Sequence, residues 1–174
     1  MDDKIGNELI LESVMRINES TQKIIRCLDI IDESDIWKSP NEQLNSVGNL
    51  ILHVCGNIGQ YIISSLGGAE DNRDRDLEFS TKGGHTKADL LEKLTGTIQQ
   101  ATFVILQASE EELLNERIVQ GMVHTGVGVV IHVTEHISYH TGQIIFLTKL
   151  FRNEDMGFYA KVDLNKKNES RTRE

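Results

Sequence analysis

The sequence is short of three things: it has one proline, two cysteines and only 18 basic residues against 27 acidic ones. Two cysteines, Cys27 and Cys55, are too few for a disulfide framework. Each falls inside an apolar helical pattern, where a free cysteine behaves as a small hydrophobe, as expected of a reducing compartment. The net charge of -9 and pI of about 5.1 argue against nucleic acid, which is bound through concentrated Lys and Arg. The one basic cluster, Lys166, Lys167, Arg171 and Arg173, is interrupted by Asn168, Glu169 and Ser170, so an anionic membrane surface is disfavoured too. No apolar run approaches the roughly 18 residues of a spanning helix. The start, Met1-Asp2-Asp3-Lys4, lacks the basic and apolar regions of a signal peptide, so a cytoplasmic location is expected.

What is present is enough chain, at 174 residues, for one domain with a continuous core that needs no metal to fold. Four segments carry apolar residues at helical spacing. The first, about residues 3–29, has Ile10, Val14, Ile17, Thr21, Ile24, Ile25 and Leu28 on one stripe. The sole proline, Pro40, marks the irregular turn that follows. The second opens at Ser46, a plausible N-cap, carries Val47, Leu50, Ile51, Val54, Ile58, Tyr61 and Ile62, and stops at Gly67-Gly68. Residues 70–86 read as a long polar loop, of the kind that often serves function. The third helix is expected over about 87–108, with Leu90, Leu91, Leu94, Ile98, Ala101, Ile105 and Leu106 inward. Residues 116–123 fit either a short strand or an extended connector. The fourth helix runs from near Thr125 to about Phe151, and beyond Arg152 the chain is polar and expected to fray. The expected fold class is all-α, a four-helix bundle over 1–152 with a polar C-terminal extension over 153–174.

Sites in bundle interiors are built from side chains on facing helices. Four of the six histidines lie in the second and fourth helical patterns. His132, His136 and His140 recur every four residues, the spacing at which two imidazoles can converge on one ion. All three cannot share it, because His132 and His140 are about 12 Å apart along the axis. The pair is therefore His132/His136 or His136/His140. The first choice contains His132-Val-Thr-Glu135-His136, the H-x-x-E-H pattern in which the glutamate is a general base. The second takes a third ligand from the other helix, where His53 lies about two turns in. Three neutral imidazoles leave open positions, as catalytic rather than structural sites do. The bland alternative is that each histidine is a hydrogen-bonded core residue.

Several stretches together resemble the DinB/YfiT-like superfamily of metal-binding bundles. They are His53-Val-Cys-Gly-Asn57, His132-Val-Thr-Glu-His136-Ile-Ser-Tyr-His140-Thr-Gly-Gln143, Trp37 through His53, and Asn72-Arg-Asp-Arg-Asp-Leu-Glu-Phe79. The likeness runs from the first helix to about Lys149, and the H-x-x-x-H-x-G-Q ending is its most specific element. It implies an up-down-down-up bundle, commonly a homodimer, binding Zn, Ni or a similar divalent transition metal through His53, His136 and His140. Gln143 would then serve helix packing or stand behind a ligand. Members include thiol-dependent S-transferases, so the resemblance implies a transferase or hydrolase in which the ion activates a low-molecular-weight thiol or water towards a small-molecule substrate. The competing class is a non-catalytic metal-binding or stress-associated module.

Other residues carry less. Cys55 lies about 200° around the helix from His53 and should pack. Asn57, one turn after His53, either orients a ligand or lines a polar pocket. Tyr139 suits core or interface packing, and Glu135 a solvated face. Arg73 and Arg75 are expected in a surface salt-bridge cluster with Asp74, Asp76 and Glu78 rather than over an anionic substrate. His85 and His124 fall in loops and receive no role.

Overall fold

A computed structural model describes residues 4–168 of the chain. Four long helices dominate, and shorter elements are inserted between them. Helix α1 spans Lys4–Ile30, and α2 spans Val47–Ile58 and runs on as a wider π-helical turn over Gly59–Ser64. Helix α3 is short, Arg75–Ser80; α4 covers Lys87–Gln107; α5 is Glu110–Leu114. Strands β1, Glu116–Val119, and β2, Met122–Thr125, form an antiparallel hairpin before α6, Gly126–Arg152. The architecture is the expected four-helix bundle, made by α1, α2, α4 and α6. Both α4 and α6 pack against α1 and against α2.

The helix ends follow from the sequence locally. Ser46, Thr86 and Ser109 each accept from the backbone N–H three residues on, and Asn49, Asp89 and Glu112 reach back to complete a capping box. Thr125 caps α6 in the same way by accepting from Gly128 N. Gly126 and Gly128, poor helix formers in the first turn of α6, therefore do not delay its start. At the other end Asn153, with φ 51°, takes the left-handed conformation that closes a helix.

The core is a single cluster. The α1 stripe is buried at Ile10, Ile17, Thr21, Ile24 and Leu28. Helix α2 is enclosed nearly all round, from Val47 to Cys55 without a break, because α3, α4 and α6 all lie against it. A single apolar stripe therefore understates how central this helix is.

The structure corrects three expectations and decides one that the sequence left open, in favour of strands. Residues 70–86 are not wholly loop, since 75–80 form α3. Residues 116–123 belong to a hairpin, paired Ile118 to Val123 and Val119 to Met122 around a turn at Gln120-Gly121, both with positive φ. Leu106 is 45% exposed: its neighbour Ile105 takes the core-facing position at 0% exposure, and Leu106 lies about 100° further round α4. The chain after Arg152 does not simply fray: Met156 is 3% exposed and Phe158 packs on the core. Lys166 and Lys167 are exposed, while Arg171 and Arg173 lie outside the described residues. Among the described residues no helix is long and apolar enough to cross a membrane.

Candidate metal centre

Helices α2 and α6 run antiparallel at the site, as two rungs of side-chain contacts show. His53 meets His136, and one turn further along Asn57 meets His132. His53 and His136 point their Nε2 atoms at each other across 3.0 Å. The rings of His53 and His140 are 4.8 Å apart, those of His136 and His140 4.4 Å. One nitrogen from each of His53, His136 and His140 lies within 4.8 Å of the other two. Of the two pairings open in the sequence, the structure therefore joins His136 and His140 to His53.

The protonation of these rings is set from behind. The Glu78 carboxylate, an acceptor only, sits 2.8 Å from His53 Nδ1. Nδ1 therefore carries the proton and Nε2 is a bare lone pair. Likewise Gln143 Oε1 accepts from His140 Nδ1 at 2.7 Å, leaving His140 Nε2 bare. Two Nε2 atoms 3.0 Å apart cannot both present lone pairs, so either a proton on His136 or a cation must stand between them. Burial, then the neighbouring His140, His53, His132 and Arg73, push the His136 imidazole down to about 3, so it is neutral at pH 7. Burial lowers His140 as well. Two tautomers fixed by outer acceptors, with a third neutral ring opposite, are what a transition-metal site needs. Metal–nitrogen bonds of about 2.0–2.1 Å span donors up to roughly 4.2 Å apart, so closing on an ion takes a shift of under about 1 Å. The residues fit such an ion.

Glu78 is the residue that sequence reasoning missed. It is 7% exposed, and Arg73, whose side chain is 4% exposed, grips it with Nε at 2.8 Å from Oε1 and Nη2 at 3.0 Å from Oε2. The expected surface cluster is thus wrong for this pair. Arg73 and Glu78 form a buried ion pair, while Arg75 lies over the Phe79 ring at 4.9 Å. Burial works to raise the Glu78 carboxyl, but hydrogen bonds from His53 and Arg73 and the guanidinium charge outweigh it and hold the group below the usual range.

Two features of α2 place this carboxylate. Asn49 Nδ2 donates to the carbonyls of Glu78 and Thr81, 2.9 and 2.7 Å away, which ties the end of α3 to the start of α2. Gly56 leaves the room, since a Cβ there would lie 1.8 Å from Glu78 Oε1. The signal available in the sequence was Asn49 at the third position after a capping serine and Gly56 three residues past His53.

The remaining candidates fall around this centre. His132 holds no place in the triad: its Nε2 is 3.2 Å from Asn57 Nδ2 and its ring stacks on Tyr61 at 4.0 Å. Glu135 is exposed, as expected of a solvated face. Tyr139 is not core: it is 65% exposed, with its ring edge-on to His140. Cys55 packs, at 4% exposure, and burial pushes its thiol up to about 11. His124 is not in a loop but in β2, half-buried, its ring 5.7 Å from that of Tyr61. His85 stays in a loop, and its carbonyl accepts from Trp37 Nε1. A cavity of about 520 Å³ opens on the α4 side of α2, lined in part by Cys55, Gly59, Leu77 and Lys93. It shares Glu78 and Arg73 with the histidine site but holds none of the three clustered histidines.

The shifts on His132, His136, His140 and Glu78 act in one direction on stability. A depressed imidazole contributes fully above its ordinary value near 6.5, and the contribution is lost as the unfolded chain takes up protons below it. For His136 the loss extends from about pH 6.5 down to about 3. The lowered carboxyl adds a loss at the acid end of that window. Denaturant midpoints of chelator-treated protein should fall between pH 7 and 4, and more steeply for the wild type than for His136→Leu. Equal slopes would contradict the account.

Residues 4–161 match the family described as protein of unknown function (DUF1572). No curated protein matches the chain. Among solved structures, the DinB-like protein YjoA of Bacillus subtilis superposes with a TM-score of 0.61 at 16% identity, covering 83% of this chain and 91% of that one. At that identity the likeness speaks for the fold. The chain belongs to the DUF1572 family and is built on the DinB-like fold.

Proposed function

We propose that the protein holds one divalent transition-metal ion, Zn or Ni, through Nε2 of His53, His136 and His140, and that it works as a metal-dependent enzyme on a small molecule. The observation that carries this reading is the outer shell. Glu78 and Gln143 each take the Nδ1 proton of one histidine, and so present its other nitrogen to a shared point. Packing alone gives no reason for two separate acceptors to enforce the same tautomer. When bound, the ion supplies Lewis acidity that lowers the pKa of a thiol or water reaching it.

The chain's own residues hold and tune this site. Glu78 takes the Nδ1 proton of His53 and so fixes its ring, and Arg73 keeps Glu78 ionised and in place. Gln143 orients His140, and burial keeps His136 neutral. Neither cysteine can serve as nucleophile, since Cys27 and Cys55 are both buried and burial raises both thiols. That favours a nucleophile brought from outside, a low-molecular-weight thiol or water, in a transferase or hydrolase reaction.

Metal analysis of the purified protein, with thiol-transfer and hydrolase assays before and after chelation, tests this. The reading expects one ion per chain, and activity lost on chelation and restored by Zn or Ni. Loss of thermal stability on chelation, with no activity towards any thiol or ester, would support the structural module instead. Gly56→Ala gives a finer check. The added methyl must displace the carboxylate from His53, so metal affinity should fall about 10–100-fold, the usual cost of losing an outer-shell partner. Unchanged affinity would mean that Glu78 has no part in the site.

A further inference from the structure

One turn along from the histidine triad, Asn57 on α2 faces His132 on α6. Asn57 is 4% exposed, and its Nδ2 bonds His132 Nε2 while Oδ1 is buried with no hydrogen-bond partner. The amide is planar, so a nitrogen engaged with His132 turns the oxygen away from that ring. Its orientation is braced from below. His132 stacks on Tyr61, which is 1% exposed and directs its hydroxyl to Gln120 at the hairpin turn. A buried acceptor held this firmly and left without a donor is out of keeping with protein interiors, where such groups are paired. It is also the kind of group with which a site rejects molecules lacking a matching donor.

We infer that Asn57 Oδ1 is a specificity-determining acceptor for the small molecule that acts at the histidine triad. The inference rests on the metal-site reading above and adds the substrate class. Residues four apart on a helix are offset by about 6 Å along the axis, and Asn57 stands in that relation to His53. The molecule selected carries an O–H or N–H donor about 5 Å, or four bonds, from the atom that reaches the ion. Small hydroxy- or amino-substituted thiols have that form, and plain alkyl thiols do not.

The test uses the full chain loaded with Co(II), whose visible spectrum reports both loading and thiol ligation. It is titrated with 3-mercaptopropan-1-ol and with butane-1-thiol, which have the same chain length and differ in the terminal hydroxyl. The alcohol should bind about tenfold more tightly, the order expected of one hydrogen bond to an otherwise unpaired buried acceptor. In Asn57→Leu the gap should close to within about twofold, and in Asn57→Asp, which keeps an acceptor in place, it should remain. Equal binding of the two thiols by the wild type overturns the inference. So does a preference that survives Asn57→Leu, or a loss that falls equally on both thiols. Failure of the wild type to take up Co(II) overturns the metal-site reading itself, and this inference with it.

Discussion

Glu78→Leu is expected to destabilise the fold by about 3–5 kcal/mol, the usual consequence of removing one partner from a buried ion pair. The Arg73 side chain, 4% exposed, would be left with uncharged neighbours alone, Gln60 Oε1 at 3.0 Å and His53 Nδ1 at 3.2 Å. His53 would lose the acceptor that fixes its tautomer, so its two nitrogens would compete for the proton and metal affinity should fall by about 10–100-fold as well. Glu78→Gln separates the two effects. It keeps the shape and a carbonyl acceptor near His53 but gives up the charge that pairs Arg73. Its stability loss should approach that of leucine, while its loss of metal affinity should be smaller. Denaturant unfolding with and without chelator, together with metal titration, measures both. A Glu78→Leu protein as stable as wild type would show that the pair is a surface feature after all.

The second large effect separates the two histidine pairings. His140→Ala, like His53→Ala and His136→Ala, should abolish metal uptake, because it leaves two imidazoles where catalytic sites use three protein ligands. His132→Ala should leave the metal content near that of wild type, since His132 is committed to Asn57 and Tyr61. Elemental analysis of the four variants after dialysis decides the matter. If His132→Ala emptied the site while His140→Ala left it filled, the site would be an inverted zincin with Glu135 as general base. The exposure of Glu135 and the ring contacts of His140 with His53 both argue the other way.

How much of this was legible beforehand depended on period and distance along the chain. The four long helices announce themselves because a 3.6-residue repeat sustained over 20 or so residues has few competitors. The same period puts His132, His136 and His140 on one face of an apolar helix, but it leaves the pairing open, and the set His53, His136 and His140 comes from the family resemblance. Helix α3 has six residues, too few for a period to register, so Arg75–Ser80 passes for loop. The hairpin has four-residue strands and is equally ambiguous. Glu78 was hidden for a different reason. It is one of several acidic residues in a charged stretch, and nothing in its own neighbourhood marks it for burial. Asn49, 29 residues earlier, draws the end of α3 against α2, and Gly56 admits the carboxylate. Those are tertiary facts, and only the fold supplies them. Arg73 shows the same limit, since the same sequence composition fits a solvated salt bridge and a buried clamp.

The most direct test is to collect anomalous diffraction at the absorption edge of the metal that purifies with the protein, paired with X-ray absorption of the same sample. One peak per chain between α2 and α6, with three imidazole nitrogens at about 2.0–2.1 Å, is the predicted result. A peak coordinated by carboxylate or sulfur, or no peak there in metal-replete protein, would contradict the account.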